Sequence, residues 1–446
     1  MPNTLTETTT VSDMFKIRGR LPGVGLLLLF GLLTAGCASD AELDTLDPQS
    51  EVAETIWNLA YPVFILAGVV LVAICGAVLY LAFKHGVSSY EDDDEFPEQI
   101  SHNNSLEIAW TIVPALIMAV IGVFTIITHI DINGTDDNSI TIDVAGESVE
   151  WEPTIVVVGQ QWWWEYRYYL DGSQIKTADL GDPRDLPPAD IVTSGQFAIP
   201  TLTEVELIIT SRDVIHSHKI PALNGTRDAV PGRYTPWKIE ANEPGVYFGQ
   251  CSEFCGLSHS RMRMQAVAMT DADFQGWIDM QMSDATFDES LQGYVDAYRE
   301  TGVGSVDDVE NEVLRGLDLF TIQCASCHLV GGLNDLVNGE AYDGAATLAG
   351  SAPNLTHLAN NTTFAGGIFN LYNNEDGTLN RDDLAAWIRD PDAVKANLAN
   401  DLPDGALPRG MPNLNLSERQ INDVIAFLET LGPRPTDERI AATEVE

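Results

Sequence analysis

The chain has 446 residues, with 23 Lys and Arg against 66 Asp and Glu, for a formal net charge of -43. That balance excludes a nucleic-acid footprint and points to a basic partner or to solubility at high ionic strength; a generally acidic, salt-adapted surface accounts for it equally well. The length and uneven composition predict two or three domains, and four of the six cysteines stand in two close pairs beside histidines, a pattern of metal or haem ligation before one of disulfides.

Residues 1–36 read as a signal peptide of lipoprotein type. Lys16, Arg18 and Arg20 precede an apolar run from Leu21 to Leu33, then Thr34-Ala35-Gly36-Cys37. Cys37 is the candidate for lipid modification, and 37–54 is an exported segment. Thr55 to Phe83 and Ile108 to Thr128 are runs of 29 and 21 residues without a charge. At about 20 residues per span these predict a transmembrane hairpin over 55–131. With Cys37 exported, the loop between the spans, which holds Glu91 to Glu95, is cytoplasmic. Everything after Thr128 then lies on the extracytoplasmic side of a bacterial plasma membrane.

From 139 to 270 the texture changes to short β-prone stretches between Gly, Pro and Asp turns: Thr154 to Val158, Gly159 to Tyr169, Val205 to Thr210 and Gly245 to Gly249. Val205, Leu207 and Ile209 recur at every second position, with Glu206 and Thr210 polar beside them, as in a half-buried strand. The pattern predicts an all-β Greek-key sandwich. An acidic helical connector follows over 271–307, then a separate all-α domain over 308–432 and a tail over 433–446.

The densest chemistry is in Cys251-Ser252-Glu253-Phe254-Cys255-Gly256-Leu257-Ser258-His259-Ser260-Arg261-Met262. Two thiols, an imidazole and a thioether are soft and borderline ligands that select copper over magnesium or calcium. A second imidazole is available upstream, in Asp213-Val214-Ile215-His216-Ser217-His218. Two Cys and two His also suit structural zinc, but Met262 and the neighbouring aromatics have no use at a redox-inert ion.

These residues, with Asp228 to Arg233 and Gly245 to Gly249, resemble the copper-binding core of subunit II of the haem-copper cytochrome c oxidases. The resemblance implies a cupredoxin-like sandwich in which His216, Cys251, Cys255, His259 and Met262 bind a dinuclear copper centre and Glu253 adds its carbonyl. It also implies that the Glu253 side chain reaches a magnesium ion shared with subunit I. His218 is expected at the surface. Gly159-Gln160-Gln161-Trp162-Trp163-Trp164 resembles the family's aromatic segment, which makes Trp162 the exposed port for electrons from a cytochrome c; Gln160 stands where the family commonly has His. Leu106-Glu107-Ile108-Ala109-Trp110 resembles the membrane part, with Glu107 at the cytoplasmic mouth of a proton pathway into subunit I.

Cys324-Ala325-Ser326-Cys327-His328 is the c-type haem attachment motif, in which two thiols form thioethers and the histidine becomes an axial ligand. Leu407 to Pro412 supplies Met411 as the sixth ligand. Gly316 and Phe320 before the motif, and the helical run Ile421 to Leu428, resemble the crossed terminal helices of class I cytochromes c. His357 is expected at the surface or against a haem propionate.

The combined resemblance implies an oxidase subunit II with its own haem c, relaying electrons from cytochrome c or a quinol-cytochrome c reductase complex to subunit I. The copper loop also fits an electron-input subunit of a copper-containing nitric oxide reductase, and a nitrous oxide reductase would share it without the hairpin. A copper chaperone or haem sensor would not need both centres.

Overall fold

The computed structural model describes residues 41–84, 101–134, 139–171, 175–301, 310–333, 352–399 and 409–443. The expected signal segment, Cys37 and the loop with Glu91 to Glu95 lie outside them. All elements below belong to Thr45–Glu446, one compact unit.

Two long helices come first, α1 (Glu51–Lys84) and α2 (Asn104–Asn133), packed against each other. Their apolar windows have mean hydropathies of 2.8 and 2.4, and both are long and apolar enough to cross a membrane. At a rise of about 1.5 Å per residue they are ~50 and ~45 Å long, so each exceeds the ~30 Å hydrocarbon core. Ser50 caps α1 by accepting from the Ala53 amide at 3.0 Å, and it donates to the Leu223 carbonyl of the next domain. At the far end of α2, Ile132 packs onto that domain's core. The sandwich therefore sits at one end of the helix pair, the end formed by the start of α1 and the end of α2.

The β domain is built on a five-stranded sheet and a three-stranded sheet. The first has the order β10 (Thr235–Ile239), β7 (Val205–Ser211), β3 (Thr154–Gln160), β4 (Trp163–Tyr168), β5 (Ile191–Ser194). The second has the order β11 (Gly245–Gln250), β12 (Arg263–Met269), β6 (Gln196–Pro200). β3 pairs parallel to β7 and β12 pairs parallel to β6, while β8 (His216–Lys219) and β9 (Thr226–Ala229) form a separate antiparallel ladder. A hairpin of β1 (Ile140–Val144) and β2 (Glu147–Trp151) leads in from the membrane helices.

Strand β7 is not half-buried as its alternation predicts. Val205, Leu207 and Ile209 face the inter-sheet core, but Ile208 on the opposite face is also buried, with Val156, Val158, Leu180 and Leu186. The excursion between β4 and β5 folds back over the outer face and removes it from solvent, so the central strands carry apolar residues on both sides.

The stretch expected as a connector is divided between the two domain cores. α3 (Asp271–Gln281) buries Phe274, Trp277 and Ile278 in the sandwich, with Phe274 stacked on Trp151 at 6.0 Å between centroids. α4 (Glu289–Thr301) buries Leu291 and Val295 in the helical domain. His357 is buried rather than at the surface, its Nε2 bonded at 3.0 Å to the Ser283 carbonyl between these helices. The expected tail holds α9 (Asp437–Ala441), whose Ile440 enters the same helical core.

In the helical domain, α5 (Glu312–Leu319) runs through a wider turn, Phe320–Cys324, into the Cys324-to-His328 motif; α6 (Arg381–Arg389), α7 (Pro391–Val394) and α8 (Glu418–Leu428) follow. α8 begins with a capping box between Ser417 and Gln420 and buries Ile421, Val424, Ile425 and Phe427 against α5. The crossing is tight at Gly316. A Cβ there would lie 2.9 Å from Phe427 Cβ and closer still to the Asp423 carbonyl. Arg315 braces the same crossing with a two-pronged pair to Asp423, at 2.6 and 2.9 Å. Gly316→Ala is therefore expected to cost about 1–3 kcal/mol through overpacking of the crossing, read as a lower denaturation midpoint of the helical domain; an unchanged midpoint would show that the helices part freely.

Candidate copper and haem centres

The copper candidates come together because a hairpin closes their loop. β11 and β12 pair Gln250 with Arg263, and one residue beyond that pair the Cys251 amide donates to the Met262 carbonyl at 2.8 Å. Cys251 and Met262 are thereby neighbours although 11 positions apart in sequence. A short turn, His259–Arg261, carries His259 back toward Cys255.

Cys251 and Cys255 are buried free cysteines with their sulfurs 3.8 Å apart. That is far beyond a disulfide bond of about 2.05 Å. His216 Nδ1 lies 4.0 Å from Cys251 Sγ, and the Glu253 carbonyl accepts from the same sulfur at 3.3 Å. On the other side, His259 Nδ1 is 3.5 Å and Met262 Sδ 3.9 Å from Cys255 Sγ. The six expected donors thus form two halves joined by the pair of sulfurs.

Ionisation explains what the pair lacks. The Cys255 thiol bonding to Cys251 holds the Cys251 thiol far below its ordinary range against the opposing effect of burial. The Cys251 thiolate and burial push Cys255 far up. Two thiols in contact that shift in opposite directions ionise together only with positive charge beside the sulfurs. A donor set of two thiolates, two imidazoles, one thioether and one carbonyl fits copper, which accepts sulfur, nitrogen and oxygen donors.

His216 is oriented by a residue that sequence reasoning left without a role. Burial depresses its imidazole, but Asp213 Oδ1 at 2.8 Å from Nε2, together with Cys251, outweighs that and raises it. With the Nε2 proton donated to Asp213, Nδ1 is left to face the thiols, as in carboxylate-oriented metal histidines. Gly159 leaves space for the ring, since a Cβ there would lie 2.8 Å from His216 Cδ2. The signal available was Asp213 three positions before His216.

His218 is not at the surface. It shares the face of His216 on β8 and packs edge-on against Trp164, with centroids 5.2 Å apart, beside Tyr166 and Phe197. Burial drives its basicity down to about 3, so it serves as a neutral core side chain. Trp162 is not exposed either. It is 3 % accessible, its Nε1 donates to the Cys255 carbonyl at 3.1 Å, and the helical domain covers it. Glu107 sits in the first turn of α2 and accepts from the Asn103 amide at 3.0 Å, a helix-capping contact.

Between the two domains lies a cavity of about 660 Å3 bounded by Cys324, Cys327, His328 and Met411 on the helical side and by Gln161, Trp162 and Trp163 on the sandwich side. Phe320, Leu384, Ile388 and Leu428 give it apolar walls. His328 is half-buried, desolvation lowers its basicity, and its Nδ1 bonds the Pro353 carbonyl at 2.9 Å, leaving Nε2 as the available ligand. Two thiols, a fixed imidazole and a thioether around an apolar cavity fit a covalently held haem.

A seam of direct bonds holds the domains together. Gln196 accepts from the Thr362 amide at 2.9 Å, Gln265 bonds the Thr362 hydroxyl at 3.3 Å, and the Arg263 amide donates to the Gly366 carbonyl at 2.9 Å. Ser258 donates to the Ala396 carbonyl at 2.6 Å. No local pattern in the sequence carries this seam, because its partners lie more than 90 positions apart.

The sequence matches two family profiles: Cytochrome C oxidase subunit II, transmembrane domain, over residues 38–127, and Cytochrome C oxidase subunit II, periplasmic domain, over 153–269. The chain is 27% identical over 423 residues to cytochrome c oxidase subunit 2 of Alkalihalophilus pseudofirmus, covering 94% of this chain and 98% of that one. It is 26% identical to the Bacillus subtilis subunit 2, over 91% of this chain and 96% of that one. The Arabidopsis thaliana subunit 2 is 28% identical and aligns with 57% of this chain and 95% of its own. Among solved structures, the periplasmic domain of subunit II of cytochrome oxidase (CoxB) of Bradyrhizobium japonicum is 25% identical, covering 29% of this chain and 93% of that one, with a TM-score of 0.24. With a matching membrane hairpin, a matching copper domain and relatives aligned over most of its length, the chain belongs to the cytochrome c oxidase subunit II family.

Proposed function

We propose that this chain is subunit II of a bacterial aa3-type cytochrome c oxidase and carries its own haem c. Its role is to take electrons from cytochrome c or a quinol-cytochrome c reductase complex and pass them to subunit I, where oxygen reduction is coupled to proton translocation. One observation carries the reading: two buried thiols 3.8 Å apart, flanked by His216, His259 and Met262, are bonded through the Cys255 carbonyl to Gln161 and Trp162, which line the same cavity as Cys324, Cys327, His328 and Met411. Reversible one-electron transfer is the chemistry that a covalent haem and a thiolate-bridged copper pair supply when bound.

The residues divide that work. Cys324 and Cys327 anchor the haem, with His328 and Met411 as its axial ligands. Cys251, Cys255, His216, His259, Met262 and the Glu253 carbonyl hold the copper pair. The Glu253 carboxylate is assigned to a magnesium ion shared with subunit I, Glu107 to a proton pathway there, and Cys37 to lipidation. Trp162 remains the electron-input residue of the copper domain, but with the haem domain over it the fused haem is its donor and a soluble cytochrome meets the haem first. Both centres lie on the extracytoplasmic side.

Cys251→Ser or Met262→Leu is expected to abolish the copper absorption of the purified complex while the haem c band stays; loss of both signals together would refute independent centres. Asp213→Ala is expected to weaken copper binding about 10- to 100-fold by freeing the His216 ring, measured by competition with a chelator. Met411→Leu should lower the haem midpoint potential, since a thioether ligand raises it; an unchanged potential in a redox titration would mean that another residue is the sixth ligand.

A further inference from the structure

The Cys255 carbonyl is where the two domains meet most closely. It accepts two hydrogen bonds, from Gln161 Nε2 at 2.7 Å and from Trp162 Nε1 at 3.1 Å. Both donors are in turn held by the helical domain. Arg409 Nη1 donates to Gln161 Oε1 at 2.8 Å, and Lys395 Nζ donates to the Trp162 carbonyl at 2.7 Å. Arg409 stands two positions before Met411 on the same loop. That loop is pinned internally, since the Leu398 amide donates to the Arg409 carbonyl at 2.9 Å and Asn397 Nδ2 to the Met411 carbonyl at 3.3 Å.

Lys395 is 5 % accessible and also donates to the Ala365 carbonyl of its own domain at 2.7 Å, so its ammonium is spent bridging one carbonyl from each side. A buried ammonium is costly unless its geometry is fixed by such bonds. A long cationic side chain directed inward at both contacts, where an apolar contact would have closed the seam, indicates a positioning role.

We propose that Arg409 and Lys395 are positioning residues that act through Gln161 and Trp162 on the Cys255 carbonyl, fixing a copper-ligand residue from the haem domain and forming the bonded junction for electron transfer between the centres. With haem and copper bound, the junction held by these residues would serve one-electron transfer from the one group to the other, with no bond made or broken and no proton transferred. Two converging bridges fix both the separation and the orientation of the junction. This inference rests on the reading above, and it adds that the haem domain shapes the copper site.

The experiment uses the full purified complex and begins with haem and copper content, because absent haem c would refute the functional reading itself. With both centres present, Arg409→Met and Lys395→Met are each expected to slow flash-initiated haem-to-copper electron transfer by on the order of 10- to 100-fold, the scale of a misplacement near 1 Å. Each is also expected to shift the copper hyperfine pattern in electron paramagnetic resonance. Arg409→Lys, which can still donate to Gln161, should recover most of the rate. Arg409→Met combined with Gln161→Leu should be no slower than Gln161→Leu alone, since either change breaks the same bridge. Rates within twofold of the parent in both single variants would overturn the proposal, as would multiplying effects in the double variant. Hydrogen exchange at the Thr362 and Arg263 amides, which donate across the seam, gives a readout free of electron transfer: retained protection is expected, whereas lost protection would mean that the slower rate is simple undocking and would overturn the positioning role.

Discussion

Two sulfurs 3.8 Å apart in a buried pocket cannot both be anionic without a cation beside them, and the surrounding structure is arranged around that constraint. The flanking donors, two imidazoles, a thioether and a carbonyl, bring no negative charge of their own. The Asp213 carboxylate is bonded to the far nitrogen of His216 and does not supply the cation that the sulfurs need. The charge demanded by the thiols is therefore left to metal, and Asp213 contributes orientation. Such a site must be rigid, because each donor loses its value if it turns away.

Rigidity comes from the layers on either side. The inter-sheet core places Trp164 against both His216 and His218, and the second apolar cluster seals the back of β3 and β7. The hairpin register fixes the two ends of the ligand loop, while the Ser252 amide donates to the Ser217 carbonyl at 3.0 Å and ties the loop to the strand that carries His216. Membrane attachment reaches the same frame through Ser50 at the start of α1 and Ile132 at the end of α2.

What could be read in the sequence was local chemistry. The Cys251 to Met262 loop, the Cys324 to His328 motif and the uncharged helices declare themselves within a few residues, since their chemistry depends on residue type and short spacing. What escaped depends on distant partners. His218 looked like a spare polar residue on a short strand, and only the aromatic layer opposite makes it core. Trp162 looked exposed because the domain that covers it is encoded more than 200 positions later. The 271–307 stretch looked like a spacer because α3 and α4 each have few apolar residues; Phe274, Trp277, Leu291 and Val295 suffice to bury each helix in a different core. Asp213 was in view, but its role requires the geometry of the His216 ring.

The embedding of α3 and α4 bears on how the two domains work together. A flexible connector would let the haem domain act as a tethered carrier, its rate set by local concentration. Here each connector helix is built into one core, and the seam between the cores contains a buried Gln196-Gln265-Thr362 network. A buried polar network favours one register over many, because every slipped arrangement leaves its groups without partners. Docking is thus part of folding. The surface that a separate domain would present around Trp162 is spent inside the molecule, and on the proposed function the face left for an external donor is on the helical domain. In such an arrangement, specificity for the donor and efficiency of the internal transfer are properties of different surfaces, so each can vary without disturbing the other.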